Sequence, residues 1–407
     1  MRYHALKNHA GGMTLRSARL LILAIIMLSV CSSVFASMAA KKTDLSRIFT
    51  AYGYVKAEQH LDVLRLLNLS GCFEPTEFRK DLKVTGHDEA SIEHIVALAN
   101  SAMQADGFHP EILLEQWPSA DISQNTPSHP ESLHNWLIRV TQRNFFAKAY
   151  GVERCEFTTL EWIKKNENNP EIANIIKNLG LKNAVSPNQK HYDAIVIFGS
   201  YAPEMKRRLE YAKTFINQGA FKTSALYLLC GERPAIAKGD GGQKYLEEVA
   251  EQYDIPLDKI TETTLMQAAY DTSEETGGIF SKLAYYVVDT PKGTNPRPST
   301  QDTIKQLLKN ENFAKTQPKN LLFISHAPYI HTQKEIVLAV LAETGQNLSF
   351  EVVGRPCHDA ESVHQIISAF GGILFWGYTR TAKALGSQKS LGELNAMLWD
   401  TLRFDVQ

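Results

Sequence analysis

The residues of this chain that can do anion or acid–base chemistry gather at the ends of short apolar runs. "DAIVIFG" ends at Gly199 and is followed by Ser200 and Tyr201; "SALYLLCG" ends at Gly231 and is followed by Glu232 and Arg233. A weaker run near "DKITE" is followed by Glu262, Thr263 and Thr264. "NLLFISH" closes on Ser325 and His326, with Tyr329 and His331 just beyond. "LSFEVVG" leads to Arg355, His358 and Asp359. Runs of nearly pure hydrocarbon with polar ends are the pattern of buried strands that deliver their chemistry at one edge of a sheet.

Each of these groups has a chemical and a plain structural reading. Gly199-Ser200 lets the backbone approach a ligand closely, and the N-terminus of a following helix offers N–H groups and a positive dipole end. The turn suits a phosphate, a carboxylate or a sugar hydroxyl, although it is neither a Walker A loop nor GxGxxG; the alternative is a simple strand-to-helix connection. Arg207 and Arg208, one turn further on, either add charge to that site or lie on a solvated face. In "CGERPA", Arg233 can hold a phosphate through two parallel N–H bonds, or pair with Glu232. His326 is a candidate general acid or base. Ser325 beside it is not thereby a nucleophile, and no GxSxG occurs in the chain. His331 reads as a capping or surface residue. "YDTSEET" places Asp271, Thr272, Glu274 and Glu275 within about one turn, either as a capping box at a helix start or with Glu274 as a base or ligand anchor. Cys230, at the end of an apolar run, reads as buried and inert.

These groups require a scaffold that brings strand ends together. From Tyr192 onward, apolar runs alternate with amphipathic stretches at Glu204 to Gln218, Gln243 to Tyr253, Leu265 to about Val288, Gln301 to Asn310 and His331 to Thr344. In the first of these, Met205, Leu209, Ala212 and Ile216 share a face, and Gly219 sits where a C′ glycine belongs. The fold class predicted is α/β: a Rossmann-like parallel sheet with helices on both faces over residues 190–390. A helical region over 43–180 precedes it, with a polar, proline-containing linker near 117–132. "ESVHQIISAFGGILFWGYTRTAKAL" is expected to add a helix packed on the sheet, with Phe370, Phe375, Trp376 and Tyr378 as core aromatics.

Composition bounds the partners. The 407 residues carry a net charge of −1, so no global basic field points to nucleic acid, and anion binding must come from local groups. The scattered His and Asp residues lack metal-ligand spacing, and no cofactor is indicated. Arg16 and Arg19, the apolar run Leu20 to Val30 and a small-residue exit ending at Ala36 or Ala39 have the layout of a secretory signal over residues 1–39. Export to the periplasm or medium is expected, with an uncleaved inner-membrane anchor as the alternative. Of the five cysteines, Cys31 leaves with a cleaved signal and four remain; Cys72 and Cys155 are a candidate pair in an oxidising compartment, and four small buried thiols are the alternative.

Taken in order, "IFGSYAPEMKRR", Cys230-Gly231, Glu262, "DTSEE" and "ISHAPYIHTQ" resemble the bacterial envelope family that includes SanA, ElyC and YdcF, over about residues 192–354. Ser200 and Tyr201 stand where that family has further glycines, and Asp271 and Glu275 where it has asparagines. The resemblance implies a Rossmann-like fold, an envelope location and a small phosphate-bearing or nucleotide-like ligand. With the strand-end pattern it gives ligand-binding roles to Gly199, Ser200, Arg207, Gly231, Arg233, Asp271, Thr272, Ser325 and Tyr329. Acid–base roles fall to Glu262, Glu274 and His326. The chemistry expected is that of a hydrolase or transferase on a phosphorylated metabolite. The alternatives are a non-catalytic binding or envelope-maintenance protein, and a secreted interaction protein with an α/β scaffold.

Overall fold

A computed structural model describes residues 57–84, 88–116, 140–145, 160–275, 278–293, 297–358 and 362–384. The expected signal segment, the 117–132 linker and Cys155 lie outside them. The described chain forms α1 (Ala57–Leu69), α2 (Pro75–Val84), α3 (Glu89–Ala102), a short hairpin of β1 (Met103–Gln104) and β2 (Gly107–Phe108), α4 (Pro110–Gln116), α5 (Glu161–Lys165) and α6 (Pro170–Asn178). The α/β part follows as β3 (Ala194–Phe198), α7 (Ala202–Asn217), β4 (Ala225–Gly231), α8 (Gln243–Tyr253), α9 (Glu262–Glu275), β5 (Ala284–Thr290), α10 (Thr300–Lys309), α11 (Glu311–Thr316), β6 (Asn320–His326), α12 (Ile330–Thr344), β7 (Ser349–Arg355) and α13 (Val363–Ala384).

The five long strands make one sheet in the order β5-β4-β3-β6-β7, and every pair is parallel. The predicted α/β class with a parallel sheet flanked by helices is therefore the observed one. The central strand β3, "AIVIF", is buried at all five positions, as a strand covered on both faces must be. Alternation along each strand sorts the side chains. Ile195, Ile197, Leu226, Leu228, Leu322, Ile324 and Val353 pack with Met205, Leu209 and Ala212 of α7 and with α8 and α9. Val196, Phe198, Tyr227, Leu229, Leu321 and Phe323 pack on the other face with α10, α11 and α12. The helix after β3 thus covers one face and the helix after β6 the other. The crevice between the carboxyl ends of β3 and β6 is the topological switch point, where open α/β sheets take their ligands.

Local chemistry explains the element ends. Gly219, at φ +64°, ends α7 as expected: its N–H donates to the Ile216 carbonyl and the Ala220 N–H to the Phe215 carbonyl, which is the Schellman pattern. Ser299 and Asp302 form a reciprocal capping box at the start of α10.

Two expectations are corrected. "DKITE" is not a strand: Leu257–Lys259 is a 3-10 turn, and the third strand in chain order is "AYYVVDT", β5. The long amphipathic stretch from Leu265 to about Val288 accordingly divides between two elements: α9 stops at Glu275 and β5 begins at Ala284. The C-terminal helix also packs elsewhere than expected. Ile366, Ile367, Phe370, Ile373 and Leu374 of α13 join the core of the N-terminal helices, with Val63, Phe78, Ile95 and Ile175. α13 reaches the α/β part mainly through α12, where the Thr332 hydroxyl donates to the Ala369 carbonyl and Arg380 pairs with Glu335. The helical unit is therefore built from both ends of the described chain.

Candidate functional site

Gly199 closes β3 and stands between two charged clusters on the α7 face of the sheet. On the β4 side lies Arg233, 3 % exposed. Its terminal nitrogens donate to Asp240 Oδ2 at 2.9 Å and Oδ1 at 3.1 Å, and one also donates to the Ser200 carbonyl at 3.1 Å. The guanidinium sits 5.1 Å from the centre of the Tyr201 ring. Asp240 is wholly buried and also accepts from the Ala202 N–H at 3.0 Å and the Ile236 N–H at 2.9 Å. One carboxylate thereby caps α7, fixes the Pro234-to-Asp240 loop and neutralises Arg233.

Glu262, the first residue of α9, completes this cluster. Its Oε1 lies 3.9 Å from Arg233 Nε, and its side chain is 14 % exposed. A Cβ built on Gly199 would meet that oxygen at 2.7 Å and the Leu229 carbonyl at 2.8 Å. Only a residue without a side chain leaves the Glu262 carboxyl room under the turn. Burial pushes the carboxyl up to about 7; Arg233, Arg297 and Arg208 pull it down, while Asp240 raises it. A carboxyl balanced between its two forms near neutral pH can both give and take a proton.

On the β6 and β7 side, Arg208 is 1 % exposed. It donates to the Phe198 and Gly199 carbonyls, both at 2.7 Å, and to His326 Nδ1 through Nε at 3.2 Å and a terminal nitrogen at 2.8 Å. A guanidinium can only donate, so Nδ1 is the acceptor and the neutral ring carries its proton on Nε2. Glu204 Oε2 faces the same Nδ1 at 3.4 Å. Glu204 accepts from Arg355 with both oxygens and pairs with Arg207. Burial raises its pKa, but the hydrogen bonds from Arg355 and Arg207 and the field of Arg208 outweigh it, so the carboxyl is held below its ordinary range.

The strand ends thus bring Gly199, Ser200, Arg207, Arg233, Glu262 and His326 to one edge of the sheet. Tyr329 is there too, its ring edge-on to His326 at 5.1 Å between centres. Gly231 is at the same edge on the opposite face, where a Cβ would strike Pro298 at 2.7 Å. Ser325 alternates with His326 and faces the α12 side; it is wholly buried, with its hydroxyl 3.4 Å from the His326 carbonyl. Cys230 is buried, and desolvation pushes its thiol well up, as an inert residue requires.

Three expected residues stand elsewhere. Asp271, Thr272 and Glu274 are not at a helix start, because α9 begins at Glu262. Glu274 lies twelve residues along α9 from Glu262, about 18 Å at the rise of an α-helix. It accepts the Phe280 and Ser281 N–H groups at 3.0 and 2.8 Å and so caps the next turn. Asp271 accepts from Tyr253 and Gln267, and the Thr272 hydroxyl donates to the Ala268 carbonyl.

The N-terminus of α7 is also not an open anion cradle. The Ala202 N–H is taken by Asp240, Pro203 has none, and the Glu204 N–H donates to the Tyr201 carbonyl. The sequence reading missed Asp240, whose setting "KGDGGQ" reads as a plain turn. It also allowed Arg208 a solvated face, although Arg208 adjoins Leu209 and lies one turn from Met205 on the buried side. Among the described residues no group of three or more His, Cys, Asp or Glu could hold a metal ion. No protein-family model and no curated protein matches the chain.

Proposed function

We propose that this chain is an exported, envelope-associated protein that binds a small phosphate-bearing or nucleotide-like ligand at the switch point, with Glu262 as the proton-transferring group. The observation that carries the reading is an imbalance of charge. Arg207, Arg208, Arg233 and Arg355 converge on one sheet edge, with Arg297 close enough to act on Glu262, against the carboxyls of Glu204, Asp240 and Glu262. The chain as a whole carries −1. A local cationic excess inside a near-neutral protein attracts and orients an anion. Hydrolysis or transfer at such a ligand is helped by a group that exchanges a proton near neutral pH, and the Glu262 carboxyl, pushed up to about 7 by burial, is suited to that role. The likeness of "IFGSYAPEMKRR" and "ISHAPYIHTQ" to the SanA, ElyC and YdcF family supports the same ligand class and the envelope location.

A thermal-shift screen against nucleotides, sugar phosphates and isoprenyl phosphates tests the reading. A ligand at a hundredfold excess over Kd stabilises by about 2.7 kcal/mol. Glu262→Gln is expected to keep that shift and to abolish turnover of the same compound. No shift with any phosphate compound sinks the reading. Turnover undiminished in Glu262→Gln leaves a phosphate-binding protein with another proton-transferring group. A ligand that binds without any turnover in the wild type favours the binding-protein alternative, which the commitment of Arg233 to Asp240 and of Arg208 to His326 also supports.

Export rests on the Arg16 to Ala36 layout. N-terminal sequencing of the mature protein is expected to begin between Ser37 and Lys41. Among the described residues no helix is long and apolar enough to cross a membrane.

A further inference from the structure

We propose that Glu204 is a displaceable stand-in for a ligand phosphate, and that Arg355, assisted by Arg207, is the seat the phosphate takes when Glu204 swings out. The inference rests on the phosphate-bearing ligand proposed above and names the residues that grip it.

Three features of the Glu204 site point this way. One carboxylate faces three guanidinium groups, those of Arg207, Arg208 and Arg355, so the cluster keeps a positive excess that a second or more highly charged anion would relieve. The fit of Glu204 on Arg355 is also incomplete. Both carboxylate oxygens take their bonds from the same terminal nitrogen, another terminal nitrogen donates to the Pro356 carbonyl at 2.8 Å, and Arg355 Nε is buried with no acceptor. A guanidinium binds an oxyanion best through two parallel N–H bonds, and a buried N–H without an acceptor is costly. A phosphate, with three oxygens around a tetrahedral centre, can take Nε and the terminal nitrogen together. The place is reachable as well: the Glu204 and Arg355 side chains are each 13 % exposed and that of Arg207 is 45 % exposed, whereas Arg208 and His326 beneath them are closed off.

The location agrees with the fold. Arg355 ends β7, Glu204 lies in the first turn of α7, and His326 ends β6 between them, so the seat opens beside the switch point. Arg208 holds the Gly199 carbonyl, which ties the seat to the turn beside Glu262. A phosphate on Arg355 would thus lie along the same sheet edge as the proton-exchanging carboxyl. Because Glu204 is held ionised, it yields its place to a competing anion rather than to acid.

Inorganic phosphate titrated calorimetrically into the full chain tests the proposal. Glu204→Gln keeps the shape and removes the competing charge. It is expected to bind phosphate at least tenfold more tightly than the wild type, and adding Arg355→Ala is expected to abolish the gain. Adding Arg207→Gln instead, at a far more exposed side chain, is expected to reduce the gain and serves if the Arg355 variant does not fold. Unfolding midpoints without phosphate establish that each variant is native. Equal affinity in wild type and Glu204→Gln, unaffected by either arginine change, would place the anion elsewhere and overturn the inference while leaving the proposed function standing. Weaker binding by Glu204→Gln would make Glu204 part of the seat and also overturn it. No phosphate binding by any form, together with no shift in the compound screen, would overturn both.

Discussion

Gly199 and Glu262 compete for one volume: a Cβ at position 199 would lie 2.7 Å from the Glu262 carboxyl oxygen. The second obstacle there is the Leu229 carbonyl at 2.8 Å, which belongs to the central sheet and has no freedom to retreat. Gly199→Ala is therefore expected to cost about 1–3 kcal/mol through overpacking. It should also displace Glu262 and weaken the response to whichever phosphate compound the screen finds. Urea unfolding with an unchanged slope reads the first effect. A variant as stable as the wild type would mean that the β3–α7 turn is looser than its packing indicates.

The Glu262 carboxyl makes stability depend on pH in an uncommon direction. Its folded value is pushed up to about 7 from an ordinary 4.5, chiefly by burial. Between those values the folded protein holds a proton that the unfolded chain releases. The unfolded state then binds fewer protons, so this group's contribution is full below pH 4.5 and is lost as the pH rises towards about 7. Glu262→Gln should flatten that part of the profile. Melting temperatures of both proteins across the window decide it, and superimposable profiles would remove Glu262 as the titrating group.

Arg233 and Asp240 hold each other in the interior, with side chains 4 % and 0 % exposed. Arg233→Ala leaves a buried carboxylate without its cation and is expected to cost about 3–5 kcal/mol. Arg233→Lys should restore only part of this, because an ammonium cannot offer the planar fork that meets both oxygens. Chemical denaturation of the two variants checks the order. A loss of phosphate binding with stability intact would instead mark Arg233 as a ligand contact.

Glu274 supplies a control on the same helix. Glu274→Ala removes the acceptor for two N–H groups of the turn at Phe280 and should cost about 1 kcal/mol. It should leave ligand binding and the pH profile unchanged, since it sits at the far end of α9 from Glu262. A change in either would bring that end of the helix into the site.

The alternation of "DAIVIFG", "SALYLLCG", "NLLFISH" and "LSFEVVG" with amphipathic stretches announced the sheet, because fully buried parallel strands must be continuous hydrocarbon. The third strand was harder to read. β5 is an edge strand with a mixed burial pattern, and its tyrosines and aspartate dilute the apolar signal. "AYYVVDT" is nonetheless rich in aromatic and β-branched residues, which favour a strand over a helix. Glu262 was legible as a candidate but for a partly mistaken reason, since it opens a helix rather than following a strand. Its partner Asp240 was not legible, because nothing local marks an aspartate in a glycine-rich turn as the cap of a helix 38 residues earlier. Arg208 and Glu204 were obscured by their charge, which on a helix ordinarily means solvent. Tertiary pairing, invisible in a local pattern, buries Arg208 and draws Glu204 partly inward.

The closure of the helical unit by α13 sets an order on how this protein can form. The Gln142 side chain donates to the Gly371 carbonyl across 229 residues of chain, and Phe145 meets Phe370 at 5.8 Å between ring centres. The entropy of closing so long a loop grows only logarithmically with length, so the equilibrium penalty is modest. The kinetic consequence is larger. During synthesis α1 to α6 emerge first, yet their shared core is completed last, after the whole α/β sheet has been made. The part of their apolar surface that Ile366, Ile367, Phe370, Ile373 and Leu374 cover stays open throughout that interval, the period in which a nascent chain most needs a holdase.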